Sequence, residues 1–109
     1  MDIGEILDEE LIDLNMTAAT KDEAIRELSV LLYKKGNVKD IESFVKDVYL
    51  REAEGQTGLG SGIAIPHGKS DAVQVTSIAV GRTRADLAWE SLDDLPVHVV
   101  ILFAVRNVD

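Results

Sequence analysis

The chain has 109 residues, 46% of them apolar, no cysteine and a net charge of −9. That length bounds it to one domain with a modest core, and the missing thiols exclude a disulfide framework, a thiolate metal site and a cysteine nucleophile. The acidic balance argues against nucleic acid as a partner, because phosphate backbones need Lys and Arg to neutralise them. No apolar run reaches the roughly 18 residues that span a bilayer, and no basic and then apolar leader opens the chain, so a cytoplasmic protein is expected.

In chain order, Ile3, Ile6, Leu7, Leu11, Ile12 and Leu14 predict a short helical turn and then a strand near Leu11–Leu14. Thr20 is an N-cap with Glu23 three residues on, the capping-box spacing. Ala24, Ile25, Leu28, Leu31 and Leu32 then form one apolar face, and Gly36 follows Lys34 and Lys35, so a helix is predicted over 21–35. Asp40 caps a second helix, with Ile41, Phe44, Val45, Val48 and Tyr49 on its apolar face, fraying out near residue 55. Arg51, in its last turns, reads equally as a complement to the helix dipole or as a guanidinium offered to an anion. A strand over residues 63–65 follows, then a polar segment 68–74, then a strand over 75–82. Leu87 and Trp89 alternate like an edge strand before the acidic turn 90–94. Pro96 ends that turn, and the apolar run 97–105, rich in β-branched residues, predicts a central strand buried on both faces. His98, inside that run, reads as a structural histidine. Helices followed by apolar strands make an α/β layered domain. Two helices are few for a sheet covered on both sides, so the domain is expected to be incomplete at its C-terminus.

Half of the glycines crowd into residues 55–62, ahead of Ile63-Ala64-Ile65-Pro66-His67-Gly68-Lys69-Ser70. This reads as a loop, a short strand, and an imidazole presented where the strand ends. Gly68-Lys69-Ser70 copies the tail of a P-loop, but the glycine spacing is wrong and Pro66 and His67 stand where the loop should turn. Gly58, Gly60 and Gly62 do not make a dinucleotide fingerprint. His67 lacks a second ligand at metal-site spacing. Ser61 and Ser70 lack the nucleophile elbow of a hydrolase. Two readings of His67 stay open: a surface histidine beside a flexible loop, or a nucleophile. Neutral imidazole is nucleophilic near pH 7, and it can take up a phosphoryl group and pass it on. Backbone N–H groups around Gly68, with Arg51, Thr57, Lys69 and Ser70, are the candidate donors to the phosphoryl oxygens.

Leu50-Arg51-Glu52, Thr57, Gly60 and the run from Gly62 to Gly68 resemble the signature of the fructose/mannitol-type IIA domains of the bacterial sugar phosphotransferase system. The predicted helices and the late Ala104-Val105-Arg106-Asn107 segment fit the same family, and the resemblance covers the whole chain. In that family the histidine of the A-I-P-H segment takes phosphate from the histidine phosphocarrier protein and gives it to a cysteine of a IIB domain during sugar uptake. The resemblance implies that role for His67, with Arg51 near the phosphoryl group, in a compact α/β sandwich around a mixed sheet flanked by helices. It implies the phosphocarrier protein and a IIB domain as partners, membrane contact only through a IIC partner, no nucleic acid, and no cofactor or metal. A homodimer is a further option. Nitrogen-type and regulator-fused IIA-like domains look similar at this motif, so the alternative is a regulatory module whose phosphorylation state a partner reads. Family domains continue past the last strand with more helices. The resemblance therefore implies a domain short of about a quarter of a total near 150 residues, the upper end of the common domain size. A second active-site histidine, where members have one, lies just beyond an A-x-R-N segment. His98 lies too early for that role.

Overall fold

The computed structural model describes residues 7–108. The alternation expected over residues 3–6 lies outside them. A 3-10 turn, Glu9–Leu11, is capped by Asp8, whose carboxylate accepts the Glu10 N–H at 2.9 Å. Strand β1, Ile12–Met16, follows.

Helix α1 spans Lys21–Lys35. Thr20 accepts the Glu23 N–H at 3.1 Å, and the Glu23 carboxylate reaches back to the Ala19 N–H at 2.8 Å. Two N–H groups that the helix cannot satisfy itself are thereby paired. Gly36 ends the helix in the left-handed region, φ 87°, where a side chain would be strained. Helix α2 spans Ile41–Glu52, and its Asp40 cap accepts the Ser43 N–H at 3.1 Å. It stops three residues before the expected end. Turn bonds from the Glu54 N–H to Arg51 and from the Gly55 N–H to Glu52 replace the helical ladder there.

One mixed sheet carries the rest. Its strands are β1, β2 (Gly58–Gly60), β3 (Ile63–Ala64), β4 (His67–Ser70), β5 (Ser77–Leu87) and β6 (Val97–Arg106), in the spatial order β1-β5-β6-β3-β2, with β4 also on β6. β5 and β6 run antiparallel, β1 lies parallel to β5, and β3 and β4 lie parallel to β6 along successive halves of its length. The α/β layered architecture is as expected, with both helices on one face. Ala24, Ile25, Leu28, Leu32, Phe44, Val45 and Val48 pack there over Ala64, Ala79, Val100, Leu102 and Ala104.

Four expectations need correction. The polar segment expected over 68–74 opens as strand β4, whose residues 67–70 pair one for one with Phe103–Arg106, and only 71–74 lie outside it. The strand expected over 75–82 begins later and runs on to Leu87. No edge strand contains Trp89; Leu87 closes β5, and Trp89 turns inward to 7% exposure. Finally, β6 is central but not buried on both faces among the described residues. Val100, Leu102 and Ala104 are buried under the helices, whereas Val99, Ile101, Phe103 and Val105 are only half-buried on the other side.

Candidate functional site

His67 opens β4 directly opposite Phe103 of β6. The two rings stack, with centroids 4.9 Å apart and planes 11° apart. This fixes the imidazole plane by packing, without a hydrogen bond. Nδ1 is buried with no hydrogen-bond partner among the described residues, so Nε2 is the nitrogen left open.

The period-two alternation of β4 divides its side chains. Gly68 faces α2, where an added Cβ would stand 2.5 Å from the Phe44 ring and 2.7 Å from Val48. Burying Phe44 and Val48 contributes about 1.5–3 kcal/mol each, against about 0.5–1 kcal/mol for glycine inside a strand. Close packing therefore wins, and Gly68 brings α2 down onto β4. His67 and Lys69 point away from that contact. They line one cleft of about 310 Å³ with Asp47, Leu50, Arg51 and Glu54. Those four follow one another at i, i+3, i+4 and i+7, a single stripe of α2 continued into its closing turn. The Arg51 guanidinium donates to the Gly55 carbonyl at 3.2 Å. Four of its five N–H groups then remain for other acceptors.

Of the expected site residues, His67, Arg51 and Lys69 meet in this cleft. Thr57, Ser70 and Gly68 do not serve it as side-chain or loop donors. Thr57 is buried, with its hydroxyl donating to Glu52 Oε1 at 2.5 Å and accepting from Trp89 Nε1 at 3.2 Å. The Ser70 hydroxyl is buried on the helix side of β4 and accepts the Ala72 N–H at 3.1 Å. The carbonyls of Pro66 and Ser70 accept from Phe103 of β6 and from Asn107 just past its end, so by parallel-ladder alternation Gly68 also turns its backbone groups into the sheet. The free-edge N–H groups are those of His67 and Lys69. Ser61 sits in the β2–β3 turn at φ 56°, with its N–H held by Asp93 at 2.9 Å, away from this cleft. His98 is exposed, and its ring lies against the Gly62 backbone, where φ is +80° and a Cβ would overlap the imidazole.

Sequence reasoning missed a polar cluster behind the cleft. Lys21, at the start of α1, donates to Glu52 and Glu90 at 2.8 Å each and lies 4.9 Å from the centre of the Trp89 ring. Burial alone would depress the Lys21 ammonium, but its bonds to the two carboxylates outweigh this and raise its pKa. The same bond holds the Glu90 carboxyl below its usual value. The Glu52 side chain is only 6% exposed, and both its oxygens are satisfied. The residue spacing gives no local sign of this, because Lys21, Thr57 and Trp89 come from distant segments. Among the described residues no group of three or more His, Asp or Glu side chains is placed to hold a metal ion, and no helix is long and apolar enough to cross a membrane.

Residues 5–109 match the family model described as "Phosphoenolpyruvate-dependent sugar phosphotransferase system, EIIA 2". The chain belongs to that family. It is 38% identical over 107 residues to the PTS system fructose-specific EIIABC component of Bacillus subtilis, a match covering 98% of this chain and 17% of that protein. The chain thus spans about a sixth of that curated relative's length. Among solved structures, the nitrogen regulatory protein IIA-Ntr of Neisseria meningitidis superposes with a TM-score of 0.86 at 32% identity, over 97% of this chain and 72% of that one. The complex of enzyme IIAMTL and phosphorylated enzyme IIBMTL of Escherichia coli gives a TM-score of 0.77 at 34% identity, over 94% and 72% of the two chains. As an EIIA 2 domain, the protein is a component of phosphotransfer, and its mixed sheet under two helices is the family's fold.

Proposed function

We propose that His67 is a transient phosphohistidine, loaded by the histidine phosphocarrier protein and discharged to a IIB-domain cysteine during sugar uptake. The observation that carries this reading is the imidazole itself. It is stacked on Phe103, with Nδ1 enclosed, and it shares a cleft with Arg51 and Lys69. With the proton on Nδ1, the Nε2 lone pair attacks the phosphorus of the donor's phosphohistidine. A new P–N bond forms as the donor's P–N bond breaks, and the donor imidazole leaves with that electron pair. The guanidinium of Arg51 and the ammonium of Lys69 stabilise the charge spread over the phosphoryl oxygens, and the stacked ring keeps the nucleophile oriented at no entropic cost during the step. Discharge is the reverse displacement by a thiolate.

The test is labelling. Protein mixed with phosphoenolpyruvate and the upstream carriers takes up one acid-labile phosphoryl group, and His67→Ala takes up none. Absence of label on the intact protein sinks the proposal. A regulatory reading is favoured by one specific observation, the high similarity to a solved nitrogen regulatory protein. The two separate on the acceptor: label that moves from His67 to a IIB cysteine indicates transport, and label that changes the binding of a regulator without moving indicates regulation.

A further inference from the structure

We propose that Glu52, Thr57 and Trp89, closed by Lys21, form a clasp that sets Arg51 against His67, and that Glu52 and Thr57 are positioning residues of phosphoryl transfer. This rests on the reading of His67 given above.

The clasp is a closed circuit. Thr57 donates to Glu52 and accepts from Trp89, Lys21 donates to Glu52, and the same ammonium rests against the Trp89 ring. It joins the first residue of α1, the last residue of α2, the approach to β2 and the chain after β5. Two arms leave it for the cleft. One is covalent: Glu52 follows Arg51 in the last turn of α2, so fixing the Glu52 carboxylate fixes the rotation of the turn that carries the guanidinium. The other runs through the backbone. The Thr57 carbonyl accepts the Ile65 N–H at 3.0 Å, and only Pro66, with its restricted φ, separates Ile65 from His67. Thr57 thus touches both arms with different atoms: its hydroxyl holds the arginine arm and its carbonyl holds the histidine arm.

The turn between Ala53 and Gln56 is exposed throughout, and its bonds run back to the end of α2: the Ala53, Glu54 and Gly55 N–H groups donate to Tyr49, Arg51 and Glu52, and the Gly55 carbonyl accepts from Arg51. A tie between Arg51 and His67 cannot come from that turn, whose bonds run only to α2 and within itself. It comes from the buried atoms at either end of it. Phosphoryl transfer is sensitive to such spacing, because placing donors on the developing charge is most of the catalysis.

Single-turnover transfer from a phosphohistidine donor protein, followed on the full chain, separates positioning from folding. The rate constant and the final amplitude are read for wild type, Thr57→Val, Thr57→Ser and Glu52→Gln. Thr57→Val and Glu52→Gln lower the rate constant about 10- to 100-fold while the amplitude stays near one phosphoryl group per chain, as expected for misplaced rather than unfolded sites. Thr57→Ser, which keeps the hydroxyl, recovers the wild-type rate to within about threefold. Trp89 is the sole tryptophan, so its emission reports that the clasp has opened in the valine variant and not in the serine variant. Three outcomes overturn the clasp: a wild-type rate in Thr57→Val, a Thr57→Ser rate as slow as valine, or a rate loss matched by lost amplitude. Wild-type protein that takes no phosphoryl group overturns the reading of His67 and this proposal with it.

Discussion

The two histidines lie on neighbouring strands of one sheet and differ in every respect that matters for chemistry. His67 is half-buried, stacked on Phe103, closed at Nδ1 and bordered by Arg51 and Lys69. His98 is exposed and lies over the backbone of Gly62. Burial and enclosure leave the first with one open nitrogen, Nε2, and one direction of approach. The second has neither restriction, and no cation of the site stands beside it. The two differ by what surrounds them, and the surroundings of His67 come from α2 and from the far half of β6.

Substitutions test that contrast, and the largest effect comes first. His67→Ala abolishes phosphoryl incorporation in the labelling assay. Arg51→Ala leaves the imidazole in place and slows incorporation about 100-fold, the usual loss for one donor to developing charge; a wild-type rate in this variant would show that the helix dipole is all Arg51 serves. Gly68→Ala pushes a methyl group against Phe44 and Val48 under β4 and destabilises the fold by about 1–3 kcal/mol. Thermal melting measures it, with about 4–8 °C lost per kcal/mol for a domain of this size. Lys21→Met has a smaller, pH-dependent effect. The raised Lys21 pKa means the folded state holds that proton more tightly than the unfolded chain does. Its contribution is therefore fully present below the ordinary lysine range, near 10.4, and fades as pH rises through the elevated folded value. Denaturation of wild type and Lys21→Met should differ at neutral pH and converge in strong alkali; curves that stay parallel would refute the pairing. His98→Gln changes incorporation less than about twofold, as surface substitutions away from a site do.

Legibility followed locality. Both helices were readable because their signals are contiguous: Thr20 with Glu23, Gly36 after two lysines, and Asp40 ahead of an apolar stripe. His67 and Arg51 were readable for the same reason, from one short stretch of chain. Strand β4 was not. His-Gly-Lys-Ser has little intrinsic preference for extended structure, and it is a strand only because β6 offers a parallel edge. Proximity in sequence puts Thr57 and Ser70 beside His67, but side-chain direction turns both away from the cleft. Thr57 satisfies the buried Glu52 and Trp89 instead. The apolar run of β6 predicts burial on both faces, because hydropathy reports what a strand can cover and not what lies over it.

The pairing of His67 with Phe103 also sets an order of events during synthesis. The aromatic shelf under the imidazole lies 36 residues further along the chain. A chain emerging from its N-terminus therefore carries its histidine, its arginine and both helices before it carries the surface that orients the ring. Until β6 docks, β4 has no strand to pair with and His67 is one flexible side chain among others. The orientation of the His67 ring against Phe103 therefore depends on a strand made after both helices and the arginine.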